Sequence, residues 1–313
     1  MTSSHSQLIR VLLGLCLIWV LGEMVSGGTR AQAEEEGQPT VRTHKTTKKL
    51  RLLKWRQIPA HGILLKDMKS GQTLYQFRAD ERLSPASLTK IMSALIILEQ
   101  GNLNDEVVVS ERAARAHKVR LRLRPGQVFR LQDLLKAMLI VSANDACLAA
   151  VEHVASDEAG FVELMNSKAV ALGLKDTHFG NPCGFDVPGH YTTAEDLAKL
   201  SEIALENPTF RELVRMERDL ISPINGNRVY LLHNTNRLLG RVPGVEGVKT
   251  GFTSKAGRCL IAKVSQDGRE LLLVLLGAKR RWTTASDLIK YGLTVLQLAT
   301  PEFHISDRDQ PYE

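Results

Sequence analysis

Residues 83–92 read LSPASLTKIM, a loop-to-helix boundary that carries a serine and a lysine three positions apart. Ser84 and Pro85 favour a helix start, because proline has no N–H to satisfy in the first turn. A helix that begins here places Ser87 near its N-terminus and Lys90 one turn on, on the same face. A serine hydroxyl becomes a good nucleophile when a neighbouring base takes its proton. The stretch therefore predicts a serine nucleophile with a lysine base.

Two further motifs give this one its context. Ser142-Ala143-Asn144 follows an apolar helical run, and Lys249-Thr250-Gly251 precedes a strand-like segment at residues 259–264. S-x-x-K alone is usually a chance match on a surface helix, but S-x-x-K, S-x-N and K-T-G in this order form the signature of penicillin-binding proteins and class A β-lactamases. A lysine acts as a base only when neutral, and Lys249 is the second cation expected to lower the pKa of Lys90.

The coarse pattern of the chain predicts one α/β unit in which strands from both ends pair as an antiparallel sheet. A hairpin is predicted at residues 61–77, and the Asp267-Gly268 turn predicts another between residues 260–262 and 271–277. The apolar period predicts helices at residues 131–148, with an interruption at the Ser142 loop, and at residues 159–172, 193–205 and 284–298.

The chain resembles the D-alanyl-D-alanine carboxypeptidases of the low-molecular-mass penicillin-binding protein family, a group of serine peptidases, from about residue 61 to residue 298. Beside the three motifs, the resemblance is carried by residues 161–166, 171–174, 190–193 and 233–238. It implies an α+β fold of the β-lactamase/transpeptidase type, with a five-stranded antiparallel sheet flanked by helices and an all-helical lobe that contains Ser142. The cleft is expected between these two parts.

The resemblance also implies a role for each catalytic residue. Ser87 attacks the carbonyl between two terminal D-alanines, and Lys90 accepts its proton. Ser142, hydrogen-bonded between Lys90 and Lys249, relays a proton to the leaving amine. Asn144 holds either the substrate's backbone amide or Lys90 itself.

The other site residues are expected to bind substrate. Thr250 offers its hydroxyl to the terminal carboxylate, and Arg281, preferred over its neighbour Arg280, is the bidentate guanidinium. The backbone N–H groups of the nucleophile and of Phe252 are the expected oxyanion donors. Gly251, in the same motif, belongs to the substrate-binding wall.

No metal or cofactor is predicted, because His178, His190 and His233 occur singly, without ligand spacing. The expected partners are a peptidoglycan stem peptide ending in D-Ala-D-Ala and β-lactam antibiotics as inhibitors. Nucleic acid is not an expected partner.

Three other functions compete with a carboxypeptidase. A D,D-endopeptidase that cuts peptidoglycan cross-links uses the same serine chemistry. A β-lactamase needs a glutamate that activates water, and Glu163, the nearest match, falls within a predicted amphipathic helix. A wall-binding protein without turnover would need to lose catalytic side chains that are all present here.

The N-terminus predicts export. Arg10 precedes an apolar run at residues 11–21, and Ala31-Gln32-Ala33 forms a small-x-small cleavage pattern. Residues 1–33 are therefore predicted to be a signal peptide, and the mature protein is expected in the periplasm or on the extracytoplasmic face of the membrane.

The mature chain is predicted to have three parts. Residues 34–57 form a basic, disordered linker that could touch an anionic membrane or wall polymer. Residues 58–300 form the catalytic domain, and residues 301–313 form a polar C-terminal tail.

Cysteine usage predicts no disulfide scaffold. Beyond the signal segment the chain keeps Cys147, Cys183 and Cys259, an odd number that cannot pair completely. Cys147 and Cys259 are interpreted as small buried hydrophobes. Cys183 lies in a turn-rich loop that is compatible with an exposed position, and the sequence leaves the redox state of all three cysteines open.

Overall fold

The computed structural model describes residues 58–299. The predicted signal segment (residues 1–33), the linker (residues 34–57) and the tail (residues 301–313) lie outside the described residues. No helix within the described part has the length and apolar character needed to cross a bilayer.

Strands and helices of the described region run in the following order. The strands are β1 (Gly62–Asp67), β2 (Thr73–Phe77), β3 (Glu106–Val108), β4 (Val128–Arg130), β5 (Arg218–Ile221), β6 (Tyr230–His233), β7 (Lys249–Thr253), β8 (Gly257–Gln266) and β9 (Arg269–Leu276). The α-helices are α1 (Lys90–Gln100), α2 (Glu111–Ala114), α3 (Leu131–Ile140), α4 (Asn144–Ala155), α5 (Glu158–Ala171), α6 (Ala194–Glu206), α7 (Pro208–Arg215) and α8 (Arg281–Ala299). One 3-10 turn, Ala86–Thr89, leads directly into α1.

Five strands form one antiparallel sheet in the order β2-β1-β9-β8-β7. Both predicted hairpins are present, as β1–β2 and β8–β9. β1 also pairs with β9, so strands from the two ends of the described chain lie side by side. The predicted five-stranded antiparallel sheet is confirmed; β3–β4 and β5–β6 form separate two-stranded ribbons.

The sheet is covered on both faces, because successive side chains of a strand point to opposite sides. On β9, the odd-numbered leucines from Leu271 to Leu275 pack in a core that includes Leu288 and Ile289 of α8. The even-numbered positions from 272 to 276 belong to the larger core shared with the helical lobe. Each fully buried leucine contributes about 1.5–3 kcal/mol. This two-sided burial holds the edge strand β7 in a fixed position beside the lobe.

The K-T-G motif, expected ahead of a strand, itself forms one: Lys249–Thr253 is β7, at the sheet edge. It pairs with β8, where Gly251 lies opposite Cys259. A Cβ atom on Gly251 would lie 3.1 Å from the backbone nitrogen of Ser87. Glycine therefore allows the edge strand to approach the 3-10 turn closely.

Several elements were not predicted from the sequence, among them helix α7 and the β5–β6 ribbon. Helix α7 has only eight residues and is capped by Asn207, which accepts from Phe210 N–H. In the β5–β6 ribbon, Leu220 and Leu231 are exposed to solvent. Because apolar residues occupy exposed positions, the sequence lacks the alternation of apolar and polar residues that is typical of a half-buried strand. α8 also begins at Arg281 instead of residue 284.

Cys147 is buried as predicted, whereas Cys183 does not take the exposed position with which its loop was compatible, and the redox state that the sequence left open is a disulfide between them. Cys147 of α4 and Cys183 form a disulfide across 36 residues, and Cys183 is only 1% exposed. The loop that carries Cys183 packs against α4, a contact between distant segments that local turn signals do not reveal. A cross-link of this span is worth roughly 3–4 kcal/mol through restriction of the unfolded chain. Cys259 is buried as predicted, and burial raises its pKa to about 11.

Candidate active site

A cleft of about 590 Å³ lies between the sheet edge and the helical lobe. Six predicted site residues line it: Ser87, Ser142, Thr250, Gly251, Phe252 and Arg281. The other three lie just behind its surface and are at most 5% exposed: Lys90, Asn144 and Lys249. The fold thus brings together residues from three motifs that are far apart in the sequence.

Ser87 lies in the 3-10 turn, one turn before the buried part of α1. The preceding residue, Ala86, has a φ of 50°, a left-handed conformation that is unusual for a residue with a side chain. The hydroxyl of Thr89 donates to the Ala86 carbonyl oxygen at 2.8 Å. Because the C=O and N–H of a trans peptide point in opposite directions, this bond also fixes the direction of the Ser87 N–H.

His190 supports the same turn from behind. Gly180 N–H donates to His190 Nδ1 at 2.8 Å, so His190 Nε2 carries the proton and donates to Thr89 Oγ1 at 2.9 Å. Burial lowers the pKa of His190 to about 4, which keeps the ring neutral at pH 7. His190 is thus a structural group at this turn.

Lys90 is fully buried and has three hydrogen-bond acceptors. Its Nζ lies 3.2 Å from Ser87 Oγ and 2.8 Å from Asn144 Oδ1, and it donates a short bond to the Cys183 carbonyl oxygen. Desolvation, followed by the charge of Lys249, lowers its pKa well below the usual value for lysine. The second cation inferred from sequence is therefore the smaller of two causes, and burial is the larger.

Asn144, the first residue of α4, uses both ends of its amide within the protein. Its Oδ1 accepts from Lys90, and its Nδ2 donates to the His117 carbonyl oxygen at 2.8 Å. The next residue, Asp145, is fully buried and accepts the N–H groups of Leu121 and Leu123. The S-x-N motif thus holds both the lysine and the loop beside the cleft.

Ser142 differs from expectation. Its Oγ is buried and has no hydrogen-bond partner among the described residues, so the predicted bonds to Lys90 and Lys249 are not formed. Ser142 lies in the tight turn between α3 and α4 and has a φ of 68°. A buried, unpaired hydroxyl in a cleft calls for an explanation.

The K-T-G strand supplies a second buried lysine. Lys249 Nζ donates to the Thr250 carbonyl oxygen at 3.2 Å. Burial, with a smaller contribution from Arg281, lowers the pKa of Lys249 to about 7. Thr250 Oγ1 lies 2.6 Å from the hydroxyl of Thr235, a residue of the cleft wall that the motif search did not single out.

Arg281 is held by backbone oxygens on the sheet edge. Its Nη1 donates to the carbonyl oxygens of Gly251 and Cys259, both at 2.9 Å. Its guanidinium lies 4.3 Å from the centre of the Trp282 ring. Phe252, in contrast, leaves its side chain 60% exposed at the mouth of the cleft.

The pairing of a serine with a buried lysine, at the edge of this sheet, is the arrangement that the motif signature of penicillin-binding proteins and class A β-lactamases predicts. The chain belongs to the D-alanyl-D-alanine carboxypeptidase family (peptidase S11), whose sequence profile matches residues 44–280.

Individual relatives agree with this assignment. The chain is 37% identical over 224 residues to D-alanyl-D-alanine carboxypeptidase DacF of Bacillus subtilis, covering 70% of this chain and 57% of that protein. It is 34% identical over 262 residues to DacC of Escherichia coli, covering 78% and 64%. The chain thus spans less than two thirds of these two relatives. The crystal structure of the Streptomyces K15 DD-transpeptidase superposes with a TM-score of 0.72 at 29% identity, covering 76% of this chain and 98% of that one.

Proposed function

We propose that the protein is a serine D-alanyl-D-alanine carboxypeptidase that removes the terminal D-alanine from peptidoglycan stem peptides through an acyl-enzyme on Ser87. The observation that carries the proposal is Lys90: a fully buried lysine of strongly lowered pKa lies 3.2 Å from the Ser87 hydroxyl. Family membership points to the substrate class.

The reaction begins when neutral Lys90 takes the Ser87 proton and Ser87 Oγ attacks the carbonyl carbon of the penultimate D-alanine. The N–H of Ser87, directed by Thr89 and His190, is one proposed donor to the oxyanion, and the N–H of Phe252 is the other. The C–N bond then breaks, and the leaving amine needs a proton. The unpaired Ser142 hydroxyl is the proposed relay to that amine, which would give its buried oxygen the partner it lacks.

Recognition of the free carboxylate is assigned to two residues of the cleft. Thr250 offers its hydroxyl, and Arg281 offers the nitrogen atoms that the backbone bonds of its Nη1 leave available. A guanidinium and a hydroxyl form charge-assisted hydrogen bonds with a carboxylate. Water then releases the acyl group from Ser87.

A β-lactam ring presents a similar amide, so penicillin is expected to acylate Ser87 as well. The β-lactamase alternative depends on a glutamate at the site, and Glu163 is instead exposed on α5 and is not part of the cleft wall. A slowly hydrolysed drug adduct is therefore expected.

The test is a pentapeptide ending in D-Ala-D-Ala. Wild-type protein is expected to release D-alanine and to gain one penicilloyl group on the Ser87 peptide, measured by mass spectrometry, whereas Ser87→Ala is expected to do neither. Rapid hydrolysis of penicillin without an accumulated adduct would favour the β-lactamase hypothesis. If the penicilloyl adduct formed but the pentapeptide was not cleaved, the result would favour a wall-binding protein without turnover.

Export is part of the proposal. The signal pattern before Glu34 supports it, and the Cys147–Cys183 disulfide is the kind of bond that persists in oxidising compartments outside the cytoplasm. N-terminal sequencing of protein from the cell envelope is expected to begin at or near Glu34. A sequence that begins at Met1 would contradict export by cleavage.

A further inference from the structure

The Cys147–Cys183 disulfide joins the two segments that hold the proposed base. Lys90 Nζ has two acceptors outside its own helix and turn: Asn144 Oδ1, at 2.8 Å, and the Cys183 carbonyl oxygen. Asn144 is the first residue of α4, and Cys147 follows it by one helical turn. The cross-link therefore connects the helix that supplies one acceptor directly to the residue that supplies the other.

The loop that carries Cys183 also touches the nucleophile turn. Gly184 lies so close to Ala86 that a Cβ atom at position 184 would overlap the Ala86 carbonyl oxygen and lie 2.8 Å from the backbone nitrogen of Ser87. Asn181 Oδ1 accepts the N–H groups of residues 183, 184 and 185, which gives the loop a defined shape. A displacement of this loop would therefore reach both the base and the nucleophile.

The disulfide is the covalent member of the contacts that hold this loop against helices α1 and α4. Ser93, one turn after Lys90 on α1, donates its hydroxyl to the Pro182 carbonyl oxygen at 2.6 Å. Cys147 and Cys183 are at most 1% exposed, so the cross-link lies in the interior, behind the cleft. A cross-linked loop cannot open locally without breaking a covalent bond, whereas a loop held by hydrogen bonds can. The disulfide therefore keeps water away from the base.

Lys90 depends on this enclosure, because desolvation is the largest cause of its lowered pKa. The charge of Lys249, on β7, is the smaller cause. His190, behind the turn, is neutral at pH 7, since its pKa is lowered to about 4. Asp145 on α4 accepts backbone N–H groups, and Asp186, beyond the loop, accepts a β7 hydroxyl. Entry of water at the loop would thus raise the pKa of Lys90.

We propose that the Cys147–Cys183 disulfide is a positioning cross-link for the base Lys90, so that the folded enzyme acylates at its full rate only when the two sulfur atoms are bonded. This inference rests on the proposed function and adds a requirement to it: the base is held in place by an oxidised cysteine pair that does not line the cleft. Because disulfides persist in oxidising compartments, the acylation rate rises after the enzyme leaves the cytoplasm.

Formation of the cross-link needs an electron acceptor, and a thiol–disulfide oxidoreductase is the chemical class that supplies it. One thiolate of the pair attacks the oxidoreductase's disulfide, which forms a mixed disulfide and releases the second sulfur of the oxidoreductase as a thiolate. The other cysteine of the pair then displaces the mixed disulfide. The pair loses two electrons and two protons, and the oxidoreductase ends as a dithiol. Because both cysteines are buried in the folded protein, this exchange is expected before the loop packs onto α4.

The test compares the oxidised wild type with the same protein after unfolding, reduction with dithiothreitol and refolding without an oxidant. Reduction breaks the S–S bond, adds one hydrogen to each sulfur and converts dithiothreitol to its cyclic disulfide. Peptide mapping by mass spectrometry verifies which cysteines are bonded. The measured quantity is the rate of penicillin acylation at Ser87 as a function of pH, with the reductant removed.

The reduced protein is expected to acylate about tenfold more slowly at pH 7, and the rise of the rate should move to higher pH. A rise of about one unit in the pKa of Lys90 leaves about tenfold less neutral lysine at a pH below both values. Reoxidation is expected to restore the rate and the pH profile of the wild type.

The double variant Cys147→Ala, Cys183→Ala is expected to reproduce the shift without any thiol. If this variant does not fold, Cys147→Ala combined with Cys183→Val retains more of the packed volume and should show the same shift. Leu288→Ala is the matched control for stability, because Leu288 of α8 is buried in the core on the other face of the sheet. It should lower the thermal stability by leaving a cavity, but it should keep the acylation rate and pH profile of the wild type.

Each contrary result overturns a different statement. A wild-type pH profile in the reduced protein, or in a folded cysteine-free pair, would overturn the positioning role while the Ser87 adduct remains. The same shift in Leu288→Ala would assign the effect to a general loss of stability and would also exclude a specific role of the cross-link. Absence of the adduct in the oxidised wild type would overturn the proposed function itself.

Discussion

Replacing Lys90 with methionine is expected to slow acylation of Ser87 by about 10³–10⁴-fold, near the upper end of what a general base contributes. Methionine is unbranched and can fill the same buried channel, but it cannot accept the serine proton. It also leaves Asn144 Oδ1 and the Cys183 carbonyl oxygen without a donor, which costs about 1–3 kcal/mol of folding stability for each such buried group. The acylation rate is measured by mass spectrometry of the penicilloyl adduct, with thermal unfolding to verify the fold.

Lys90→Arg provides the matched control for charge. Arginine keeps a cation and several donors at this position but remains protonated at all relevant pH values. It is therefore expected to be as slow as Lys90→Met, although the buried acceptors keep a donor. Asn144→Ala, which removes one acceptor and leaves the base, should lose less activity. Wild-type acylation rates in both Lys90 variants would remove lysine from the role of base.

The pH dependence of acylation follows from the same residue. Lys90 is active when deprotonated, so the rate is expected to rise as the pH increases through its pKa. Because that pKa is lowered, the rise should occur well below the value of about 10.4 for an ordinary lysine. Lys249→Gln removes a neighbouring positive charge, raises the pKa of Lys90 and should move the rise to higher pH. The rise should still stay below the ordinary value, because burial remains.

Gly184→Ala is expected to lower the acylation rate by about 100-fold or more. Gly184 has a φ of +86°, and a Cβ atom there would overlap the Ala86 carbonyl oxygen and lie 2.8 Å from the backbone nitrogen of Ser87. The nucleophile turn would have to move, and a displacement of about 1 Å at a reacting group can cost about 100-fold in rate. The neighbouring Cys183 carbonyl, which accepts from Lys90, would move as well.

Gly189→Ala separates this effect from backbone strain. Gly189 has a similar φ of +75°, but the nearest atom to an added Cβ is His178 Nδ1 at 3.9 Å. Both variants should lose stability through the strained conformation, measured by thermal unfolding, but only Gly184→Ala should lose acylation beyond that. Equal acylation rates in the two variants would show that the turn tolerates the added methyl group.

The proximity of Ser87 and Lys90, the proposed catalytic pair, was predictable from a short segment of sequence. Ser87 and Lys90 are three residues apart, and one helical turn brings their side chains together without help from the rest of the chain. The sheet was predictable for a similar reason, since the two hairpins depend on local turns and on strands with clear apolar character. Pairing of β1 with β9 followed because strands lie at both ends of the chain and helices lie between them.

The contacts that surround Ser87 and Lys90 could be identified only from the folded structure. Lys90 binds Asn144 Oδ1 and the Cys183 carbonyl oxygen, which are 54 and 93 residues away along the chain, and no local pattern encodes such contacts. The same packing of distant segments formed the Cys147–Cys183 disulfide, buried Lys90 completely, and left Ser142 Oγ without the bonds expected for it. Side-chain identity specifies which chemistry is possible, whereas the lowered pKa of Lys90 comes mainly from desolvation, a property of the whole packed domain.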